Sequence, residues 1–143
     1  MAVRKALKKT PKKRKLKAKT QPLRDGYHLP VRTEDEQLAG LSEELVDAWQ
    51  LLRSYLIGLG EQESHTSHRS IMFGRKTCYA FVRPKKNFIE LNFFLPEALD
   101  SELIKKVTAV SKTKFVHVVL LTHSDQVERP LTEWIKKAYS HAG

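Results

Sequence analysis

Cys78 and His117 come nearest, by residue type, to a catalytic pair. A thiol attacks as its thiolate, and an imidazole on an adjacent strand can take the proton. A free cysteine on a strand is more commonly a small core residue, and Cys78 is read as one. His65-x-x-His68 offers two imidazoles, with Cys78 a third ligand only if the fold brings it across. Zinc needs three or four such groups in one place. A metal-dependent nuclease needs carboxylates clustered beside a lysine. Glu90 instead stands alone on its strand, and the other acids fall mostly on helices and linkers. Neither a phosphate-cradling Gly-rich loop nor a dinucleotide fingerprint occurs. On these grounds no catalytic residue, no metal and no cofactor is expected.

Charge is the stronger chemical signal. The chain has 143 residues, 26 of them Lys or Arg, and a formal net charge of +10. Eleven of those cations (Arg4, Lys5, Lys8, Lys9, Lys12, Lys13, Arg14, Lys15, Lys17, Lys19 and Arg24) fall within residues 1–24, which contain no acid. The other fifteen stand against all sixteen Asp and Glu, so the rest of the chain is close to neutral. Low apolar content and like-charge repulsion predict a segment that is disordered when free. Its chemistry is that of an arm laid along the phosphates of RNA or DNA, alone or in a large ribonucleoprotein such as the ribosome. A solvated solubility tail is the plainer alternative, and the complete absence of acids argues against it. An acidic membrane surface fits less well, because no large apolar anchor accompanies the charge.

Compartment is read from the same residues. Pro11-Lys-Lys-Arg-Lys-Leu-Lys17 resembles a nuclear localisation signal. One cysteine forms no internal disulfide and suits a reducing compartment. An intracellular protein is expected, cytoplasmic if bacterial and nuclear only if eukaryotic. No apolar run approaches the length of a membrane span, and none follows the basic N-terminus. Neither a transmembrane helix nor a secretory signal is therefore expected.

A second group of cations lies between Ser64 and Ile89, an interval without an acid: Arg69, Arg75, Lys76, Arg83, Lys85 and Lys86. Turns at Arg75-Lys76 and Lys85-Lys86 would put several of these at the same sheet ends, as a basic rim. Tyr79, Phe81 and Phe88 lie among these cations, an interleaving that can stack bases. Against this, strand aromatics usually serve the core, and Lys often protects sheet edges.

The elements that must position these groups centre on one hairpin, residues 77–95. Cys78, Ala80 and Val82 alternate with Tyr79, Phe81 and Arg83; Ile89, Leu91, Phe93 and Leu95 alternate with Phe88, Glu90, Asn92 and Phe94. Period two predicts antiparallel strands, with Pro84 at the second turn position and Asn87 tolerating a left-handed one. Ser42 is a good N-cap for a helix carrying Leu45, Trp49, Leu52, Leu56 and Leu59, closed by Gly58 and Gly60. Residues 61–69 read as a polar loop and 70–73 as a short strand. A helix is expected over 97–106, with Leu99, Leu103 and Ile104 inward. Residues 107–114 carry no clear pattern. Residues 115–122 are apolar on both faces, as an interior strand is. Pro130 suits the first position of a last helix that turns Leu131, Trp134, Ile135 and Ala138 inward. The sum is an α+β domain with a mainly antiparallel four-stranded sheet and helices packed largely on one face, in the order α-β-β-β-α-β-α. The divisions are a tail at 1–24, a linker at 25–41 and a domain at 42–143.

Several of these stretches resemble a known family. Leu59-Gly60, the Arg-Lys-Thr-Cys-Tyr-Ala-Phe-Val-Arg-Pro strand, Leu-Asn-Phe, the run from Phe115 to Thr122 and the closing Trp134-Ile-Lys-Lys-Ala-Tyr139 are similar to the small bacterial domain-of-unknown-function family five-six-five-five. The resemblance covers residues of about 43–141. It implies an α/β fold like the one read above, and it implies no activity. The basic tail lies outside it.

Three classes of function compete. The first is a non-catalytic, monomeric nucleic-acid-binding protein that uses its tail. The second is a small-molecule-binding or catalytic domain with a targeting tail. The third is a protein–protein adaptor using the acidic first helix. Removing residues 1–24 separates them, since a binder loses affinity and an enzyme keeps turnover.

Overall fold

The computed structural model describes residues 29–143. The tail expectation, with the eleven cations from Arg4 to Arg24, lies outside the described residues. Within them the order is α1 (Glu34–Leu38), α2 (Glu43–Gly58), β1 (Glu63–Thr66), β2 (Ile71–Gly74), β3 (Cys78–Pro84), β4 (Ile89–Leu95), β5 (Lys106–Ser111), β6 (Lys114–Leu121), a 3-10 turn (Ser124–Gln126) and α3 (Leu131–His141). The six strands form one sheet in the order β1-β2-β3-β4-β6-β5, every neighbour antiparallel.

The expected hairpin sits at the middle of that sheet. Ile89, Leu91, Phe93 and Leu95 are all buried along one face of β4. Ala80 opposes Phe93 and Val82 opposes Leu91 from β3, while His117 and Val119 oppose them from β6. Helices α2 and α3 cover this face. Leu45, Trp49, Leu52 and Leu56 point into it from α2, with the Trp49 ring 6.2 Å from Phe73. Ser42 caps α2 as expected, accepting the Leu45 N–H. Leu131, Ile135 and Ala138 point in from α3, whereas Trp134 is only half-buried, stacked 6.3 Å from Phe93.

Four expectations are corrected. The sheet has six strands rather than four, because both edge strands were invisible to hydrophobic patterning. β1 is polar and β5 is mostly exposed; a strand with one neighbour needs no apolar stripe. The helix expected over 97–106 does not form. Its backbone donors find tertiary acceptors instead: the Leu99 N–H reaches His117 Nε2 at 3.0 Å and the Lys105 N–H reaches Val118 O at 2.7 Å. Pro84 ends β3, opposite Ile89, rather than occupying the turn, which is closed by Lys85 N–H to Phe88 O at 2.8 Å. β2 pairs with β3 only as far as Val82, so the missing Pro84 N–H leaves no ladder bond unmade. The stretch read as linker contains α1, built by a capping box in which the Thr33 hydroxyl accepts the Glu36 N–H and Glu36 accepts the Thr33 N–H.

Candidate nucleic-acid interface

The basic turns of the body do not share a sheet end as expected: they are consecutive turns of an antiparallel meander, so they lie at opposite ends of β3. Arg75 and Lys76 precede it, and Lys85 and Lys86 follow it. Seven residues of strand separate the two pairs, or roughly 20 Å. Arg75 is committed to the helix layer. Its guanidinium lies 4.3 Å from the Tyr139 ring centroid and donates to Tyr139 O at the C-terminal end of α3. Lys76, Lys85 and Lys86 make no side-chain hydrogen bond or ion pair among the described residues, so these three remain available to a polyanion. Arg69 is exposed in the β1–β2 connection.

The aromatic expectation divides along the pleat. A β-bulge between Phe73 and Gly74 pairs Phe73 with Ala80 and Gly74 with Cys78, leaving Tyr79 as the extra residue. Tyr79 therefore turns into the helix layer, where it is 1% exposed. Its hydroxyl donates to Gln62 Oε1 at 2.6 Å, and its ring meets Tyr139 edge-on at 5.4 Å. Burial pushes that phenol far above the ordinary tyrosine range. Tyr79 is thus removed from any base-stacking role. Phe81 stays on the outer face, which also holds Met72, Phe94, Val116, Val118 and Leu120, all half-exposed.

On that outer face four side chains form a diagonal stack. The Arg83 guanidinium lies 5.2 Å from the Phe81 ring, Phe81 lies 5.9 Å from Phe94, and Lys114 Nζ lies 4.7 Å from the Phe94 ring. Arg83 is held from below by the Ser70 hydroxyl at 3.2 Å and faces Glu90 at 4.0 Å. Asn92, opposite Phe81, donates to Glu90 at 3.1 Å. The cluster is thus a pair of tilted rings with a cation over each. Phe94 and Lys114 are absent from the candidates read in the sequence. The available signal was Phe94 itself, an aromatic in the outward phase of an otherwise regular strand.

The catalytic and metal constellations separate in space. β4 lies between Cys78 on β3 and His117 on β6. His117 Nε2 accepts from Leu99, so Nδ1 carries the proton and donates to Phe115 O at 3.2 Å. Both ring nitrogens are spent on backbone, and the ring stacks on Phe93 at 5.2 Å. Burial holds the imidazole below its ordinary pKa, that is, neutral. The Cys78 thiol donates to Ala80 O, and burial pushes its pKa up, away from a reactive thiolate. His65 faces Glu63 at 3.4 Å, and no group of three His, Cys, Asp or Glu able to hold a metal occurs among the described residues.

The family described as Domain of unknown function (DUF5655) matches residues 34–142. The match begins at α1 and runs through α3. No curated protein and no solved structure matches the chain.

Proposed function

The chain belongs to the family Domain of unknown function (DUF5655), and on that premise, which names no activity, we propose that it is a non-catalytic nucleic-acid-binding protein. Its Lys/Arg-rich N-terminal segment lies along the phosphates of RNA or DNA. The observation that carries this reading is the partition of charge. Eleven cations without one acid precede a body in which fifteen cations meet sixteen acids. Lysine outnumbers arginine in that segment, which favours phosphate contact over bidentate base reading. The free side chains of Lys76, Lys85 and Lys86 add phosphate contacts on the body, and a ribonucleoprotein such as the ribosome offers both surfaces at once.

Filter binding to RNA and to DNA over a range of salt concentrations tests this. With about 6–10 phosphates neutralised, affinity falls on the order of 10³- to 10⁵-fold between about 50 and 200 mM salt. Replacing Lys12, Lys13, Arg14 and Lys15 by Ala lowers the slope of log K against log salt by roughly 3–4 on duplex DNA. Lys85→Ala and Lys86→Ala have smaller effects. Equal affinity with and without residues 1–24 would overturn the reading.

A further inference from the structure

A cavity of about 260 Å³ opens where the C-terminal end of α3 meets one end of the sheet. Leu95, Ala138, Phe94 and Cys78 line it, with Thr113 of the β5–β6 turn and Lys114 at the start of β6 on one side and His141 of α3 on the other. We propose that this cavity binds a single nucleotide, taking one unstacked base inside with its phosphate at Lys114.

Size and charge favour this ligand, and its choice rests on the nucleic-acid reading. The volume lies just below the roughly 300–1,000 Å³ of sites for drug-sized ligands, so it suits one base and not two. The apolar lining matches the face of a base, and the Thr113 hydroxyl offers hydrogen bonds to its edge. Polarity is asymmetric across the opening. The α3 side is the negative pole of a helix, where Tyr139 O and Ala142 O already accept from Arg75 and from the Lys76 and Thr77 N–H groups. Those carbonyls are thus already taken, with the Arg75 guanidinium beside them, whereas the opposite rim holds a lysine that pairs with no acid among the described residues. Lys114 stands at that rim, at the end of the outer-face stack of Arg83, Phe81 and Phe94. A strand crossing the outer face thus reaches Lys114 with its backbone while one base turns into the cavity.

Cys78 is the single cysteine of the chain and reports on the cavity directly. The test is its alkylation rate in the full-length chain, with and without adenosine monophosphate, adenosine alone, inorganic phosphate, or a short single-stranded oligonucleotide. With adenosine monophosphate at about ten times its Kd, the rate falls about tenfold, following the fraction of empty sites. Thr113→Trp, which fills the cavity, abolishes that nucleotide dependence. Lys114→Glu weakens protection by the nucleotide and leaves any protection by adenosine unchanged; each variant is compared with its own ligand-free rate, because Lys114 also acts on the Cys78 thiol electrostatically. Near-UV circular dichroism establishes that both variants are folded. Unchanged alkylation at saturating nucleotide overturns the proposal, as does equal protection by phosphate alone or by adenosine alone. The tail reading fails separately. Oligonucleotide bound on a filter without protection of Cys78 removes the cavity site and leaves the tail, whereas nucleotide protection without salt-dependent oligonucleotide binding does the reverse.

Discussion

His117 brings a hydrogen-bond acceptor into the core and there fixes the crossover between β4 and β5 through the Leu99 N–H. Protonation would turn that acceptor into a donor aimed at another donor. The imidazole is held below its ordinary value of 6.5, with burial the largest cause. The folded state therefore binds its proton more weakly than the unfolded chain, and linkage makes stability rise with pH across this titration. The contribution is complete above the unfolded value near 6.5 and is lost as pH falls through the depressed folded one. Urea unfolding over a pH series should show it. His117→Gln, which keeps an acceptor for Leu99 and cannot titrate, should lose that part of the slope while costing roughly 1–3 kcal/mol at neutral pH. An unchanged slope in a folded His117→Gln protein would show that another group sets it.

Element by element, the segment from 96 to 105 is where local pattern and tertiary context disagree most. Leu99, Leu103 and Ile104 have the spacing of a helix face, yet Leu103 is 52% exposed while Leu99 and Ile104 pack against the core. The Ser101 hydroxyl accepts the Leu103 N–H, a local alternative to helical bonding. Substitutions distinguish the two conformations. Leu103→Ser should stay within about 0.5 kcal/mol of the parent, as exposed positions do, whereas Leu99→Ala should cost about 1–3 kcal/mol. Thermal unfolding of the two variants reads this, and a large cost at Leu103 would favour the helix. α2 shows the opposite case, where cap, acidic first turn and apolar stripe all point the same way. Its C-terminal end abuts α3 so closely that a Cβ at Gly60, held at φ +148°, would run into the Tyr139 hydroxyl.

On the scale of the whole molecule, α1 decides where the folded body begins. The Gln37 side-chain amide donates to Arg32 O, Ser67 O and Ser70 O at 3.2, 2.9 and 3.2 Å, tying α1 to the connection between β1 and β2. Glu34 takes a two-pronged contact from Arg53 of α2 at 2.8 and 3.3 Å. A chain starting at residue 40 loses all of these and leaves the Ser67 and Ser70 carbonyls without that donor. It should be less stable than a chain starting at residue 31 by about 1–3 kcal/mol, with the cooperativity of unfolding retained. Calorimetry of the two chains checks it, and equal midpoints would show α1 to be an appendage. The family match from residue 34 draws the same boundary.

Hydrophobic period and helix capping were enough, from sequence alone, to determine the α+β class, the central β3–β4 hairpin, the interior strand β6 and the inward stripes of α2 and α3. Each is a local pattern repeated over enough residues for burial of one face to dominate the energy. The charge partition is likewise a property of sequence, since counting residues needs no coordinates. Tertiary structure alone decided the rest. Edge strands β1 and β5 form because their one neighbour supplies the backbone ladder, a partner that no window of sequence contains. Tyr79 and Phe81 sit two apart in one strand and would share a face in a regular ladder; the bulge at Gly74 places one inside and the other outside. The cations of Arg75-Lys76 and Lys85-Lys86 look like one cluster in sequence, yet the length of β3 holds them at opposite ends, because a strand extends its chain by about 3.3 Å per residue.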